Sequence, residues 1–204
     1  MSAQTRLAVL VSGSGTNLQA LLDAIAADPD FGGEVVVVAS DRASAQGLER
    51  ARDAGVPAVA IELGDHLDRA AWEQALVAAL LEHRPDAVVL AGFMRLVTGA
   101  FLSHWPDRVV NTHPSLLPAF RGAHAVRDAL EYGVKVTGST VHLVDEKVDH
   151  GPVIAQRAVE IREDDDEDSL HERIKAVEHE LFPHCVRLLC QGRLTVDGRH
   201  VRVS

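Results

Sequence analysis

The first ninety or so residues alternate between two kinds of segment, and this alternation constrains the fold more than any other feature. Arg6–Ser12, Glu34–Ser40 (with four consecutive valines), Ala58–Ile61 and Ala87–Ala91 are short apolar runs. Runs of this length bounded by turn residues read as strands buried on both faces. Between them, Asn17–Ala27, Ala45–Ala54 and Asp68–His83 carry apolar residues at helical spacing. Gly55 and Pro57 close the second of these helices, and Asp68 is placed to cap the third. Strands separated by helices predict an α/β fold: a Rossmann-like, open twisted and mostly parallel sheet with helices on both faces.

The later chain is less regular. Arg108–Asn111 reads as a fifth strand and Ala123–Tyr132 as a helix ended by Gly133, while Val134–Val144 and Pro152–Ile161 alternate as strands do. Ser169–Gln191 is helical, with an interruption expected at Pro183. Leu194–Val196 and His200–Val203 flank Asp197-Gly198, which predicts a C-terminal β-hairpin. No linker or repeat divides the 204 residues, so a single domain over 1–204 is expected.

The formal net charge of −10 argues against broad electrostatic binding to nucleic acid or anionic lipid. It leaves a small anionic ligand open, because backbone amides at a helix N-terminus hold a phosphate whatever the overall charge. The acidic run Glu163–Asp168 precedes a helical pattern and reads as a solvated complement to its positive end, not as a metal site. No apolar run is long enough to span a bilayer. Met1–Arg6 lacks a signal-peptide pattern, so a cytoplasmic protein is expected. Cys185 and Cys190 lie five apart on one helical segment and are not expected to bridge.

Ser12-Gly13-Ser14-Gly15-Thr16-Asn17 joins the first strand to the first helix. A dinucleotide loop would need a third glycine where Leu18 stands, and the Gly-Lys-Ser/Thr ending of a nucleoside-triphosphate loop is missing. The phosphate of a smaller molecule and a plain strand-to-helix turn both remain open. Further polar groups gather after the later strands, where ligands of open α/β sheets bind. Asn111 and His113 alternate on an extended stretch, so both project to one side, and Pro114 keeps His113 out of helical geometry. An amide donor beside an imidazole suits a developing oxyanion and proton transfer. Asp149, before Gly151-Pro152, is a carboxylate able to orient that histidine; each of the three taken alone reads more readily as a turn or cap residue.

Four blocks taken together are more specific: Val11–Ala20 around the glycine loop, Leu90-Ala91-Gly92-Phe93-Met94-Arg95, Asn111-Thr112-His113-Pro114-Ser115-Leu116-Leu117-Pro118, and Asp149-His150-Gly151-Pro152. In order and spacing they resemble the folate-dependent phosphoribosylglycinamide formyltransferase family, over essentially the whole chain. That resemblance implies transfer of a formyl group from 10-formyltetrahydrofolate to the amino group of glycinamide ribonucleotide (GAR), with no metal. It implies a ribonucleotide-phosphate site in the N-terminal half and folate and catalytic residues in the C-terminal half. Asn111, His113 and Asp149 would be catalytic. Gly15, Thr16 and Asn17 would hold the phosphate, and Glu178 the ribose hydroxyls. Met94, Arg95, Leu96 and Val97, with Asn111, would line the folate, and Arg69 would lie near it. The expected partners are these small molecules, without nucleic acid or membrane, and the protein would be a monomer or homodimer.

Arg121 departs from the family pattern, where proline or lysine is more usual, and His124 is expected to be a loop residue near the substrates. His179 and His184 flank Pro183 too far apart for a zinc-protease helix, and His66, His83, His104, His171 and His200 are expected at surfaces or caps. The nearest alternative is a formyltetrahydrofolate hydrolase, which usually carries an N-terminal regulatory domain and has no use for a phosphate loop. Formylation of methionyl-tRNA would call for a further C-terminal domain and a basic surface. An inert binding domain would be expected to lack one of the three catalytic residues.

Overall fold

A computed structural model of the chain describes residues 4–204; Met1–Ala3, the start of the segment read for a signal peptide, lie outside the described residues. The strands are β1 (Thr5–Val11), β2 (Gly33–Ser40), β3 (Ala58–Ala60), β4 (Ala87–Leu90), β5 (Val109–His113), β6 (Val136–Leu143), β7 (Val153–Glu160), β8 (Leu194–Asp197) and β9 (His200–Val203). The helices are α1 (Thr16–Ala27), α2 (Gln46–Asp53), α3 (Arg69–Glu82), α4 (Gly99–Leu102), α5 (Ala125–Tyr132) and α6 (Glu167–Cys190).

Among the described residues all nine strands form one sheet, in the order β3-β2-β1-β4-β5-β6-β7-β9-β8. The first five are parallel to one another. β6 then runs antiparallel to β5, and β7 antiparallel to β6. β9 joins β7 through the single pair Val153↔His200, and β8 closes the C-terminal hairpin. The mostly parallel sheet with a terminal hairpin therefore forms as expected. β1 has β2 on one side and β4 on the other, so the strand order reverses there and a crevice opens at the carboxyl ends of β1 and β4.

Both faces of the central strands are covered. Along β1, Leu7, Val9 and Val11 pack with α1, α2 and α6, while Ala8 and Leu10 pack with α3 on the other face. The buried indoles of Trp72 and Trp105 donate to the carbonyls of Ile61 (2.7 Å) and Pro85 (3.0 Å), so their polar ends are satisfied within the core.

Several details differ from the sequence reading, among them the short helix α4, which that reading lacks, and the start of α6 at Glu167 instead of Ser169. Helix α6 runs unbroken through Pro183. Proline removes one ladder bond, at a cost of about 3 kcal/mol. Leu181, Phe182, Pro183, Cys185 and Val186 are all buried, and each such apolar side chain contributes roughly 1.5–3 kcal/mol, which outweighs the lost bond. Strand β5 extends to His113, two residues further than expected, because Thr112 and His113 pair with Val141 and Thr140. The hairpin turn centres on Gly198 (φ 59°) and Arg199, between the paired Asp197 and His200. The acidic run does serve the start of α6: Asp166 forms a capping box with Ser169, and Asp165 pairs with Arg173. Both cysteines are free, and burial pushes each thiol up to about 12. Among the described residues no helix is long and apolar enough to cross a membrane.

Candidate active site

The crevice holds two adjoining lobes. The first is a cavity of about 280 Å³ lined by the glycine loop Ser12–Asn17, Arg42, Lys175 and Glu178, among others. Gly15 initiates α1 with φ 70°, and a Cβ there would fall 2.6 Å from Gly47 Cα of α2. Only glycine permits both the left-handed backbone and this close approach. No side chain caps α1, so its first amides are free to meet an anion. Glu178 arrives from α6, buried, and accepts from Asn17 Nδ2 (3.1 Å) and Thr112 Oγ1 (3.2 Å). Burial raises its carboxyl above the usual range, against the pull of those two hydrogen bonds. Asn17 Oδ1 is buried without a partner, an acceptor that a ligand N–H or O–H would complete.

The second lobe lies between the Phe93–Val97 loop, the end of β5, the Gly122–Val126 stretch and the β6–β7 connection around residues 144–149. Gly92, Met94, Thr112, Pro114 and His171 line both lobes, so two ligands would meet there. The strand period sorts β5: Thr112 reaches Glu178, while Asn111 and His113 line the second lobe.

His113 is almost fully buried. Its Nε2 donates to the Phe120 carbonyl (2.8 Å), and Nδ1 lies 3.4 Å from Asp149 Oδ2. Oxygen acceptors thus face both ring nitrogens and fix the orientation of the imidazole. Asp149, with φ 45°, also accepts the Gly122 amide at 2.8 Å. The three residues singled out from the sequence are thus brought together.

A fourth was missed. The β5–β6 register sets His142 directly opposite Asn111. Its Nδ1 donates to the Leu143 carbonyl (2.8 Å), which leaves Nε2 to accept from Asn111 Nδ2 at 3.2 Å. Burial lowers the His142 pKa, so the ring stays neutral and keeps that lone pair. This contact sets which end of the Asn111 amide faces the imidazole. Nothing in the local sequence marks His142, because only the pairing of two distant strands makes it a neighbour.

Other placements refine the expectations. Met94 and Leu96 are largely exposed at the second lobe, whereas Val97 is buried in the core. Arg95 Nε donates to Asp41 Oδ2 (2.7 Å), and Ser12 Oγ donates to Asp41 Oδ1 (2.6 Å) and accepts the Met94 amide (2.8 Å). The buried carboxylate of Asp41 therefore ties the glycine loop to the Met94–Arg95 loop, a link the sequence did not suggest. Arg69 does not line either lobe; it donates to the Leu96 carbonyl and supports the loop from outside. His124 is the N-cap residue of α5 and lines the second lobe, and Arg121 is exposed nearby. His171, expected at a surface or cap, lines both lobes; burial lowers its pKa, with Lys175 adding to the effect. Lys175 itself, one turn before Glu178, was also missed; it brings a cation to the first lobe.

An amide donor, an imidazole and a carboxylate where two ligand lobes meet define a site for transferring a group between two substrates. The formyl transferase family matches residues 5–186. The chain is 50% identical over 198 residues to the phosphoribosylglycinamide formyltransferase of Mycobacterium tuberculosis, covering 97% of this chain and 91% of that protein. It is 43% identical to the Bos taurus trifunctional purine biosynthetic protein adenosine-3 over 96% of this chain, but only 20% of that much longer protein. Among solved structures, glycinamide ribonucleotide transformylase 1 from Symbiobacterium toebii superposes with a TM-score of 0.96 at 50% identity, covering 100% of this chain and 95% of that one. The chain belongs to the formyl transferase family, and it is a formyltransferase.

Proposed function

We infer that the protein transfers the formyl group of 10-formyltetrahydrofolate to the amino group of GAR, yielding formyl-GAR and tetrahydrofolate in purine synthesis. The observation that carries this reading is the junction of the two lobes. One offers a glycine loop, free helix amides and a buried carboxylate; the other holds the Asn111–His113–Asp149 cluster. The names of the similar proteins support the same substrates.

In this reading one domain serves both substrates, and its two halves divide the work only partly. The first lobe takes the ribonucleotide: Gly15, Thr16 and Asn17 meet the phosphate, and Glu178 the ribose hydroxyls. The second takes the folate against Met94, Arg95 and Leu96, with Val97 and Arg69 supporting that loop. As the amine adds to the formyl carbon, charge develops on the formyl oxygen. Asn111 donates to it and His113 lies alongside, where preorganised groups cost no reorganisation. Collapse of the adduct breaks the bond to the folate nitrogen, which takes a proton relayed by His113, while the amine gives one up. Asp149 holds the His113 ring in position throughout. The protein works in the cytoplasm on small molecules, and light scattering would separate monomer from homodimer. The deciding experiment incubates purified protein with 10-formyltetrahydrofolate, with and without GAR. Folate turnover that depends strictly on GAR is expected, and equal turnover without it would establish a hydrolase instead.

A further inference from the structure

Asp149 sits in the β6–β7 connection, residues 144–152, in the left-handed backbone region that side-chain-bearing residues avoid. Much of this connection has no core beneath it: Glu146, Lys147 and Val148 are exposed. Its shape comes from polar ties. Asp145 Oδ1 accepts the Lys147 amide (3.0 Å), and Asp145 Oδ2 accepts from His150 Nδ1 (2.6 Å). Burial pushes the Asp145 carboxyl up, but His150, the Lys147 amide and Arg199 together outweigh it and hold it below its usual range. At Gly151 a Cβ would lie 1.9 Å from the Leu143 carbonyl oxygen, so the chain doubles back there at a position no other residue fits.

The C-terminal hairpin reaches this connection from outside. The single pair Val153↔His200 sets its turn beside residue 150. Arg199, exposed at the turn, spends both guanidinium ends on His150. Nη2 donates to the His150 carbonyl at 2.6 Å, and Nη1 sits against the same imidazole, 3.2 Å from Nδ1 and 3.3 Å from Nε2. With Nδ1 donating to Asp145, the ring is held between that carboxylate and the Arg199 guanidinium. The residue so held is the one that follows Asp149 in the chain.

We propose that Arg199 is a positioning residue: acting through His150, it braces the β6–β7 connection so that Asp149 stays against His113. An isolated surface contact would contribute little. This one fixes the His150–Gly151 peptide, the next one along from a strained residue whose carboxylate must stay within reach of His113. The inference rests on the proposed function for its kinetic readout, but not for its structural one.

The test uses Arg199→Ala and Arg199→Lys, in the parent protein and in an Asp149→Asn background. Displacement of a catalytic group by about an ångström costs up to roughly a hundred-fold, so Arg199→Ala is expected to lower kcat about ten- to a hundred-fold. The melting temperature and the KM for GAR should hold, and Arg199→Lys, which keeps one donor for the carbonyl, should regain part of the loss. In the Asp149→Asn background, Arg199→Ala should add nothing, because the group it positions is already gone. Amide hydrogen exchange over residues 145–151 should accelerate in Arg199→Ala. An unchanged kcat in Arg199→Ala, or a full further loss in the Asp149→Asn background, would overturn the proposal. Unchanged exchange protection would overturn it whatever the activity. If the parent shows no GAR-dependent turnover, the proposed function fails, and exchange alone decides the brace.

Discussion

The two lobes of the crevice are built by different means. The first is largely one continuous stretch, Ser12–Asn17, which offers backbone amides to a proposed ligand, completed by two side chains one turn apart on α6. The second is assembled from distant pieces. β5 brings Asn111 and His113, β6 brings His142, the loop after β5 brings the Phe120 carbonyl, and the β6–β7 connection brings Asp149. A phosphate needs donors at a helix end, and local chain geometry supplies them. An oxyanion site needs side chains at fixed separations, and only a sheet register can hold several elements to that tolerance.

Substitutions in the two lobes should therefore fail differently. The largest effect is expected in the assembled lobe. Asn111→Ala and Asp149→Asn should each lose roughly a hundred- to a thousand-fold in turnover while keeping the parent circular dichroism spectrum. Near-parental turnover in either would break the contrast between the lobes.

In the continuous lobe, Gly15→Val should act on folding and binding together. Forcing a branched residue to φ 70° costs about 1–3 kcal/mol before the clash with Gly47 is counted. Calorimetry should show a melting point lower by roughly 2–4 °C per kcal/mol, and kinetics a raised KM for GAR.

Glu178→Gln should separate stability from binding. Because burial raises the folded-state carboxyl above its ordinary 4.5, its stabilising contribution is complete below that pH and is lost as pH rises through the folded value. The glutamine variant should thus be the more stable at neutral pH, with a flatter melting-temperature profile on the alkaline side. Loss of a charged acceptor should raise its KM for GAR about ten-fold or more. A less stable variant at neutral pH would refute this account of Glu178.

The smallest effect is expected at His142. His142→Asn removes the acceptor at Nε2 and frees the Asn111 amide, so kcat should fall about three- to ten-fold, the worth of one neutral hydrogen bond. The folded His142 titrates below its ordinary 6.5, so the parent loses stability as pH falls from there towards the folded value. The variant should lose less over that range in denaturant titrations.

Much of the fold is legible in the sequence because it is written locally. Apolar runs such as Val35–Val38 and the helical spacing of Asp68–His83 encode their elements within one segment, and Asp68 does cap α3. Pro183 shows the limit of local reading: the proline's penalty is a property of the helix, but the burial that overrides it belongs to the sheet beneath. The residues of the proposed site divide in the same way. Asn111 and His113 lie two apart on one strand, and Asp149 stands out before Gly151-Pro152, so chemistry and family resemblance both point to them. His142, Asp41, His171 and Lys175 carry no such mark. Their roles depend on which neighbours the fold delivers: an amide across a strand pair, a serine and an arginine from two loops, and a cavity shared by two lobes.

By itself, then, the sequence determined the alternation of strands and helices, the glycine loop that starts α1, and the identity of the groups able to do the chemistry. The tertiary structure decided that the sheet turns antiparallel after β5, and thereby that His142 faces Asn111 and that Asp149 folds back onto His113. Helix and strand preferences are settled by residues a few positions apart. A site held by a sheet register depends on pairings between residues tens of positions apart, whose free energy exists only once the chain has folded.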